Sequence, residues 1–383
     1  MLIKIIKWIL NLINLIVIKN PRKIILIPFP NSEAGSISVA NYIVNNYSNK
    51  DVYYVIEGDE LNPIELLDKK VNLIIRRNKL DPSYLLHLFS SKYIFFTHGL
   101  IIDKFPKKQI TINLWHGLLY KNIMKLLGKP EMLSDYVVGT SELSKVMFSK
   151  AFGVSKEQVT TTGYPRNDFL LKGKIEKENI INKLNLDFSP NKLLLWMPTY
   201  RKSIKGDIRL DGIDVDNPFC INNFDLYNFN MILKNHNAIC LVKPHPMAEK
   251  NNIEEKLTNV VFIDDNWIND KKLNLYEFVG CTDLLISDVS SIIIDYMLLD
   301  NPIFCISEDF EEYKKTRGFY FEDIENKIPT EVLKNQKIFF EKLNQFLKTE
   351  IDPFEEKRIA LKKEFFKYHD ANSTKRLVEL IFN

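Results

Sequence analysis

Short apolar runs alternate with segments of helical periodicity along the chain after Pro21. Strand-like runs are RKIILIPF, DVYYVIEG, VNLIIRR, KYIFFTHG, QITINLWHG and DYVVGTS. Helical spacing of apolar residues marks SISVANYIVNNY, PSYLLHLFSS and SELSKVMFSKAFG, the last of which ends in a glycine. This alternation predicts a parallel sheet covered by helices on both faces. We predict that QVTTTGYPRND is a further strand that enters a loop.

The same pattern begins again near residue 190. Strands are predicted in KLLLWMPTYR, NAICLVKPHP, NVVFIDD, DLLISD and PIFCI, and helices in FDLYNFNMILKNH and SSIIIDYMLLD. A chain of 383 residues is too long for one ordinary core and fits two domains of about 150–200 residues. We therefore expect an α/β fold in which two Rossmann-like domains, residues 21–190 and 191–383, face each other across a cleft.

Residues 1–20, MLIKIIKWILNLINLIVIKN, are apolar except for one polar stripe. In a helix, four polar residues would lie on one side: Lys4, Lys7, Asn11 and Asn14. The polar residues interrupt the segment too often for a transmembrane helix of about 20 apolar residues, and no small-residue cleavage site follows. We expect an amphipathic helix in the membrane interface, with Trp8 at headgroup depth and the lysines toward anionic lipid. A helix docked on the protein's own core and a true span are the alternatives.

Charge and cysteine content narrow the class of protein. The chain has 52 basic and 49 acidic residues and a net charge of +3, whereas a dedicated nucleic-acid binder would show a strong basic excess. Its four cysteines form no CxxC pair or zinc-site spacing, which predicts buried, reduced thiols in a cytosolic protein. No acidic cluster has the spacing typical of a Mg²⁺ site.

Polar residues follow the predicted strands, where ligands bind in open α/β sheets. They are His116 with Gly117 in NLWHG, Arg166 in GYPRND, Thr199 and Arg201 in MPTYRKS, Lys243 and His245 in VKPHP, and Ser290, Ser291 and Asp295 in SDVSSIIID. Each alone has an ordinary structural interpretation. His116 could be a packed histidine, Arg201 a solvated turn residue, and SDVSS a helix cap.

Taken together, these residues suit a diphosphate. The predicted helix start at Ser290 and Ser291 offers N–H and hydroxyl donors. Positive charge and forked hydrogen bonds come from Arg166, Arg201, Lys243 and His245. The pattern indicates a nucleotide-activated donor, with His116 of the other domain facing it as a general base for an attacking hydroxyl.

The motifs WHG, GYPRND, MPTYR, KPHP and SDVSS, in this order between Trp115 and Asp295, resemble those of the CDP-glycerol glycerophosphotransferase family. This family contains the bacterial teichoic-acid primases and polymerases. The resemblance implies a GT-B-type fold and a peripheral enzyme on the cytoplasmic face of the cell membrane. It also implies transfer of glycerol phosphate or ribitol phosphate from a CDP-linked donor to a hydroxyl of a lipid-linked or polymer acceptor. CMP would be released, in the synthesis of teichoic-acid-like or capsule polymers.

The resemblance also implies roles for single residues. His116 is similar to the family's proposed base, and His245 to its second essential histidine. The C-terminal domain would bind the CDP donor, and the N-terminal domain would face the acceptor and the membrane. The expected donor-binding residues are Gly117, Arg166, Pro198, Thr199, Arg201, Lys243, Pro244, Ser290, Ser291 and Asp295. We expect no metal ion and no cofactor, because the CDP-linked polyol is a substrate.

Two departures from the family pattern bear on the donor. Leu118, Leu119 and Tyr120 replace the usual Thr-Pro after WHG, and Val289 replaces an aromatic residue in the serine motif. The length of the chain favours a primase or compact transferase over the longer polymerases. Two other readings remain open, a GT-B glycosyltransferase using a nucleotide sugar such as CMP-sialic acid, and a membrane-bound nucleotide binder without catalysis.

Overall fold

The computed structural model describes residues 2–58, 65–199, 219–244, 257–316 and 318–383. The first half contains a six-stranded sheet of order β3-β2-β1-β4-β5-β6 in which every neighbouring pair is parallel. Its strands are β1 (Asn20–Ile27), β2 (Asp51–Glu57), β3 (Asn72–Arg76), β4 (Ser91–Phe96), β5 (Ile110–Asn113) and β6 (Tyr136–Val137). This order is that of a Rossmann fold, which confirms the fold predicted for this half.

The second half repeats this architecture. Its parallel sheet has the order β12-β11-β10-β7-β8-β9, which is again the Rossmann order when counted from β7. The strands are β7 (Lys192–Met197), β8 (Ala238–Val242), β9 (Val260–Phe262), β10 (Leu284–Ser287), β11 (Ile303–Ile306) and β12 (Val332–Leu333). β8 and β10 are buried along their whole length, as expected for central strands covered on both faces.

Helices cover both sheets. In the first half they are α1 (Leu2–Ile16), α2 (Ala34–Asn46), α3 (Pro82–Ser90), α4 (Glu142–Phe152), α5 (Arg166–Ile175) and α6 (Lys177–Leu184). Those after β7 are α7 (Leu226–Asn235), α8 (Asp265–Asp270), α9 (Leu275–Gly280), α10 (Ile292–Tyr296), α11 (Phe310–Thr316), α12 (Ile324–Lys327), α13 (Gln336–Thr349), α14 (Glu355–Phe365) and α15 (Ser373–Phe382). The glycine predicted to end α4 does so at Gly153, in a left-handed conformation with φ of 77°.

The prediction for the segment QVTTTGYPRND is wrong. The segment QVTTTGYPRND was expected to contain a strand, but it has only an isolated parallel bridge between Val159 and Val137. Arg166, which was expected in a loop after that strand, instead begins α5. This segment packs closely against α15. A Cβ on Gly163 would lie only 2.5 Å from Ser373 Oγ at the start of that helix.

A continuous core joins the two halves. One cluster of buried side chains includes Ile24 and Leu26 of β1 together with Leu193 and Leu285 of the second sheet. Separate clusters cover the far face of each sheet. The helices α5 and α9 cross where the halves meet, and two glycines allow them to approach closely. A Cβ on Gly173 would lie 2.1 Å from the carbonyl oxygen of Glu277, and one on Gly280 would lie 2.1 Å from that of Leu170.

The end of the chain returns to the first half. Thr140 donates a hydrogen bond to the carbonyl of Phe365 at 2.7 Å, which fixes the end of α14 beside α4. The carboxylate of Asp168 accepts hydrogen bonds from the backbone of Ser373 and Thr374, each at 2.8 Å, and so caps α15. The last helix therefore packs against α2 and α5 of the first half.

The polar stripe of α1 faces the protein, which differs from the expectation that its lysines point to lipid. Asn11 bonds the Asp103 carboxylate at 2.7 Å, and Lys7 pairs with the same carboxylate at 2.8 Å. Asn14 is fully buried and donates to Gln109 at 2.8 Å. The loop of residues 103–109 therefore supplies the carboxylate, carbonyl and amide groups that bond these polar side chains, and the polar side of α1 faces this loop.

The opposite face of α1 is exposed and apolar. It consists of Ile5, Trp8, Ile9, Leu12, Leu15 and Ile16, with Ile18 just beyond the helix. Among the residues that the structure describes, no helix combines the length and the apolar character that a membrane crossing requires.

The helix crossing gives a prediction for stability. Gly280→Ala should lower the free energy of unfolding by about 1–3 kcal/mol, because the added methyl meets backbone atoms that cannot rotate away. Urea unfolding followed by tryptophan fluorescence measures this change. Gly99→Ala is the matched control, because nothing lies within 4 Å of a Cβ at Gly99. Equal stability of the two variants would show that α5 and α9 do not pack as closely as described.

Candidate active site

A strained turn presents His116 at the end of β5. Trp115 adopts a left-handed conformation with φ of 49°, which is unfavourable by about 1–3 kcal/mol for a non-glycine residue. The Asn113 side chain holds this turn by accepting a hydrogen bond from the Trp115 amide at 3.0 Å. Trp115 is buried, whereas His116 is exposed. The turn therefore presents the imidazole of His116 to solvent at the carboxyl edge of the first sheet.

Gly117 brings this turn against the second half of the chain. A Cβ on Gly117 would lie 2.8 Å from Ser291 Oγ and 3.8 Å from Arg166 Nη2. Any side chain at this position would collide with Ser291. Two loops that the sequence predicts for one site, WHG and SDVSS, therefore touch across the junction of the two halves.

A buried ion pair lies beside this contact. Arg166 at the start of α5 donates to Asp295 of α10 at 2.7 Å, with side-chain exposures of 4% and 1%. Asn167 and Tyr276 donate to the same carboxylate at 3.2 and 3.1 Å. The guanidinium also lies over the ring of Tyr164, 4.3 Å from its centroid. The charge of Arg166 is thus already engaged by the protein, whereas the sequence predicted that it would face a donor phosphate.

The loop after β10 is organised by Asp288. Its carboxylate accepts hydrogen bonds from both the amide and the hydroxyl of Thr199, at the end of the neighbouring strand β7. The carbonyl of Asp288 accepts from the Ser290 amide at 2.8 Å, which turns the chain into α10. Pro198, which precedes Thr199, is buried. β7 and β10 flank the point where the strand order reverses, so Thr199, Ser290 and Ser291 lie where a Rossmann domain binds its ligand.

The remaining predicted residues are less closely connected to this point. Lys243 follows β8, and its side chain is 4% exposed and paired with Asp265 of α8 at 2.9 Å. Pro244 beside it is half-buried. Arg201 and His245 lie outside the described residues.

The departure from the family pattern after WHG has a structural role. Leu118, Leu119 and Tyr120 are all buried. The Tyr120 carbonyl accepts a hydrogen bond from the Tyr320 amide at 2.7 Å, and Lys121 and Phe319 form an antiparallel bridge. The segment after the histidine is therefore fastened to the second half by backbone pairing.

Sequence reasoning missed a second histidine at the site. His98 follows β4, the strand beside β5, and its ring stacks on that of His116 with centroids 4.4 Å apart and planes 6° apart. The motif THG at the end of KYIFFTHG repeats the His-Gly of WHG at the neighbouring strand end, and this repetition is the signal that would have identified it.

The surroundings of His116 favour its neutral form. Desolvation by the walls of the site lowers the pKa of His116 below its ordinary value of 6.5, and the nearby His98 and Arg166 act in the same direction. Nδ1 of His116 lies 3.5 Å from the Thr97 carbonyl, which favours a proton on Nδ1 and leaves Nε2 as the acceptor. A neutral imidazole at an accessible edge can take a proton from a hydroxyl.

Two Rossmann-like domains that meet in this way have the architecture of a GT-B fold. A family model described as CDP-Glycerol:Poly(glycerophosphate) glycerophosphotransferase matches residues 9–383. The chain therefore belongs to this family of enzymes, and the resemblance noted in the sequence is confirmed.

Relatives with similar sequences act in teichoic acid synthesis, as their names state. The teichoic acid ribitol-phosphate polymerase TarL of Staphylococcus aureus is 30% identical over an alignment of 340 positions, gaps included, that covers 82% of this chain and 55% of the polymerase. The teichoic acid ribitol-phosphate primase of Bacillus spizizenii is 25% identical over an alignment of 383 positions, gaps included, that covers 90% of each chain. The chain spans 55% and 61% of the S. aureus polymerases TarL and TarK.

Solved structures agree in fold. The wall teichoic acid polymerase TagF superposes with a TM-score of 0.76 at 20% identity, covering 99% of this chain and 94% of that one. The UDP-GlcNAc 2-epimerase of Neisseria meningitidis matches with a TM-score of 0.58 at 12% identity, over 94% and 99% of the two chains. At these identities the likeness concerns the fold alone.

The buried ion pair gives a second prediction. Asp295→Asn should lower the free energy of unfolding by about 3–5 kcal/mol, because it leaves the buried Arg166 guanidinium without a counter-charge. Urea unfolding is the measurement. The control is Arg22→Gln, which removes the exposed pair with Asp51 and should change stability by less than about 1 kcal/mol. A loss no larger than that of the control would mean that the Arg166–Asp295 pair does not hold the two halves together.

Proposed function

We propose that this enzyme transfers a polyol phosphate, glycerol phosphate or ribitol phosphate, from a CDP-linked donor to a hydroxyl of a lipid-linked or polymer acceptor. CMP is the second product, and the polymer is of the teichoic-acid or capsule type. Membership of the family supports the reaction class. The names of the relatives, which include ribitol-phosphate and glycerol-phosphate enzymes, support a polyol as the unit transferred.

The observation that carries this proposal is the contact between Gly117 and Ser291. It places an accessible imidazole from one domain next to the hydroxyl-bearing loop of the other. A donor bound at the carboxyl ends of β7 and β10 would present its phosphates to Thr199, Ser290 and Ser291. Its reacting phosphorus would then lie toward His116. Arg201 and His245 are proposed to supply positive charge to the same phosphates.

In the proposed reaction, the acceptor hydroxyl oxygen attacks the β-phosphorus of the donor. The new oxygen–phosphorus bond forms as the bond from this phosphorus to the oxygen of CMP breaks, and the hydroxyl proton passes to Nε2 of His116. Catalysis rests on positioning and on stabilising the phosphoryl charge, as in other phosphoryl transfers. In this proposal the enzyme needs no metal ion or cofactor.

The reaction is tested with membrane-derived acceptor lipid by the nucleotide that each donor releases. CMP is measured for CDP-glycerol, CDP-ribitol and CMP-sialic acid, and UDP for UDP-N-acetylglucosamine. We expect CMP from a CDP-polyol alone, and His116→Ala should lower kcat by about 10²–10⁴-fold because the base is lost. His369→Ala is the matched control, because this histidine follows α14 and bonds the Phe366 carbonyl at 3.2 Å. Turnover of CMP-sialic acid or the UDP-sugar alone would overturn the proposal in favour of a glycosyltransferase.

We further propose that the enzyme is peripheral to the cytoplasmic face of the cell membrane and docks through the exposed apolar face of α1. Trp8 is 62% exposed and Ile16 74% exposed, although both are large and apolar. Leu86 of the neighbouring helix α3 is 64% exposed. Lys104, Lys107 and Lys108 are exposed in the adjacent loop, where they would meet anionic headgroups. This orientation buries the apolar face in the interface while the polar stripe stays on the protein.

Docking is tested by sedimentation with phosphatidylglycerol-containing vesicles. Trp8→Ser/Leu12→Ser should weaken vesicle binding by about tenfold or more, because each large side chain contributes about 1.5–3 kcal/mol on burial. The control is Ile175→Ser on α5, which changes an 82% exposed isoleucine away from α1. Wild-type protein that stays in the supernatant, or a loss shared equally by the control, would contradict docking through α1.

A further inference from the structure

We propose that His98 is a positioning residue for the reaction, which holds the ring of the base His116 in a parallel stack. This inference rests on the proposed function, because it assigns the part played by a second residue in the same site. His98 lies outside the five motifs that relate the chain to its family.

The stack is built by two adjacent strands. β4 and β5 pair in register with Phe96 opposite Asn113, so both histidines follow the same edge of the sheet. Their rings lie 4.4 Å apart at an interplanar angle of 6°. Trp115 covers His116 from a second direction, with centroids 4.0 Å apart and a tilt of 34°. The His116 ring is therefore held on two sides and keeps an accessible edge.

The stacked ring of His98 is itself anchored. Its Nδ1 lies 3.2 Å from the hydroxyl of Thr97, a fully buried residue. Phe29 packs edge-on against the ring, with centroids 4.9 Å apart and planes 74° apart. The plane of His98 is thus set by contacts that do not involve His116, so it can serve as a fixed surface for the other ring.

A fixed ring affects the base in two ways. It restricts rotation of the His116 side chain, and a displacement of about 1 Å in a reacting group can lower a rate 10²-fold. It also adds a desolvating wall and a second titratable group, so that a proton on one ring disfavours a proton on the other. Arg166 of α5 opposes protonation from a further element, and its charge is partly balanced by Asp295 of α10.

The test compares His98→Ala with His98→Phe. The alanine removes the desolvating wall and the second titratable ring, so the pKa of His116 should rise and the acid limb of the kcat profile should move to higher pH. The plateau of kcat should fall about 10- to 100-fold through loss of orientation. Phenylalanine restores a flat ring, so it should recover most of the plateau and keep the pKa of His116 low, because desolvation is the largest cause of the shift.

The pKa of His116 is measured by NMR titration of its imidazole in the unliganded protein. This measurement needs no substrate, so it tests the stack even if every donor in the panel is inert. The control is His87→Ala. His87 lies on α3, and its ring packs on that of Tyr53 with centroids 4.2 Å apart, so its loss should leave the titration of His116 unchanged.

Two results would overturn the proposal. One is a His116 titration and kcat profile in His98→Ala that match the wild-type protein, which would make the stack irrelevant to the base. The other is a His98→Phe variant as inactive as His98→Ala, which would show that the enzyme needs a nitrogen of His98 and not its flat ring. Recovery by phenylalanine together with a shifted titration in the alanine variant would support it.

Discussion

The site depends on the buried ion pair between Arg166 and Asp295. Arg166 begins α5 in the first half, and Asp295 lies in α10 of the second. Asn167 and Tyr276 also donate to the Asp295 carboxylate, and the ring of Tyr164 lies against the guanidinium. A buried carboxylate without its partner would be strongly unfavourable, so the pair favours one arrangement of the two sheets. In that arrangement Gly117 reaches Ser291, and the base and the serine loop become parts of one site.

Several features around this pair are explained by the need to hold the halves together. The glycines of α5 and α9 allow the helices to cross at backbone contact. Shortly after His116, the backbone of residues 120–122 pairs with residues 318–320 of the second half. The left-handed Trp115 lies between two fixed points, the Asn113 side chain that accepts from its amide and this backbone pairing further along the chain. The residues that depart from the family pattern therefore support the position of the histidine.

The sequence predicted the architecture well and the contacts within it poorly. Apolar runs of strand length between helical segments identified both sheets, because burial on two faces leaves a clear pattern. GYPRND was misjudged because its residues are determined by partners far along the chain, with Arg166 and Asn167 bonding Asp295 and Asp168 capping α15. Which face of α1 contacts the protein could not be predicted either, because the loop that hydrogen-bonds its asparagines lies some ninety residues away in the sequence. His98 was missed because it belongs to none of the quoted motifs, and only the pairing of β4 with β5 brings it to His116.

The most direct test of the central claim is a ³¹P NMR measurement of the products formed from a CDP-polyol and the acceptor. Transfer of a polyol phosphate predicts a new phosphodiester resonance that grows in equal amount with CMP, and neither should appear at a comparable rate with His116→Ala. Formation of CMP together with free polyol phosphate, or of a phosphodiester at the wild-type rate without His116, would contradict the account.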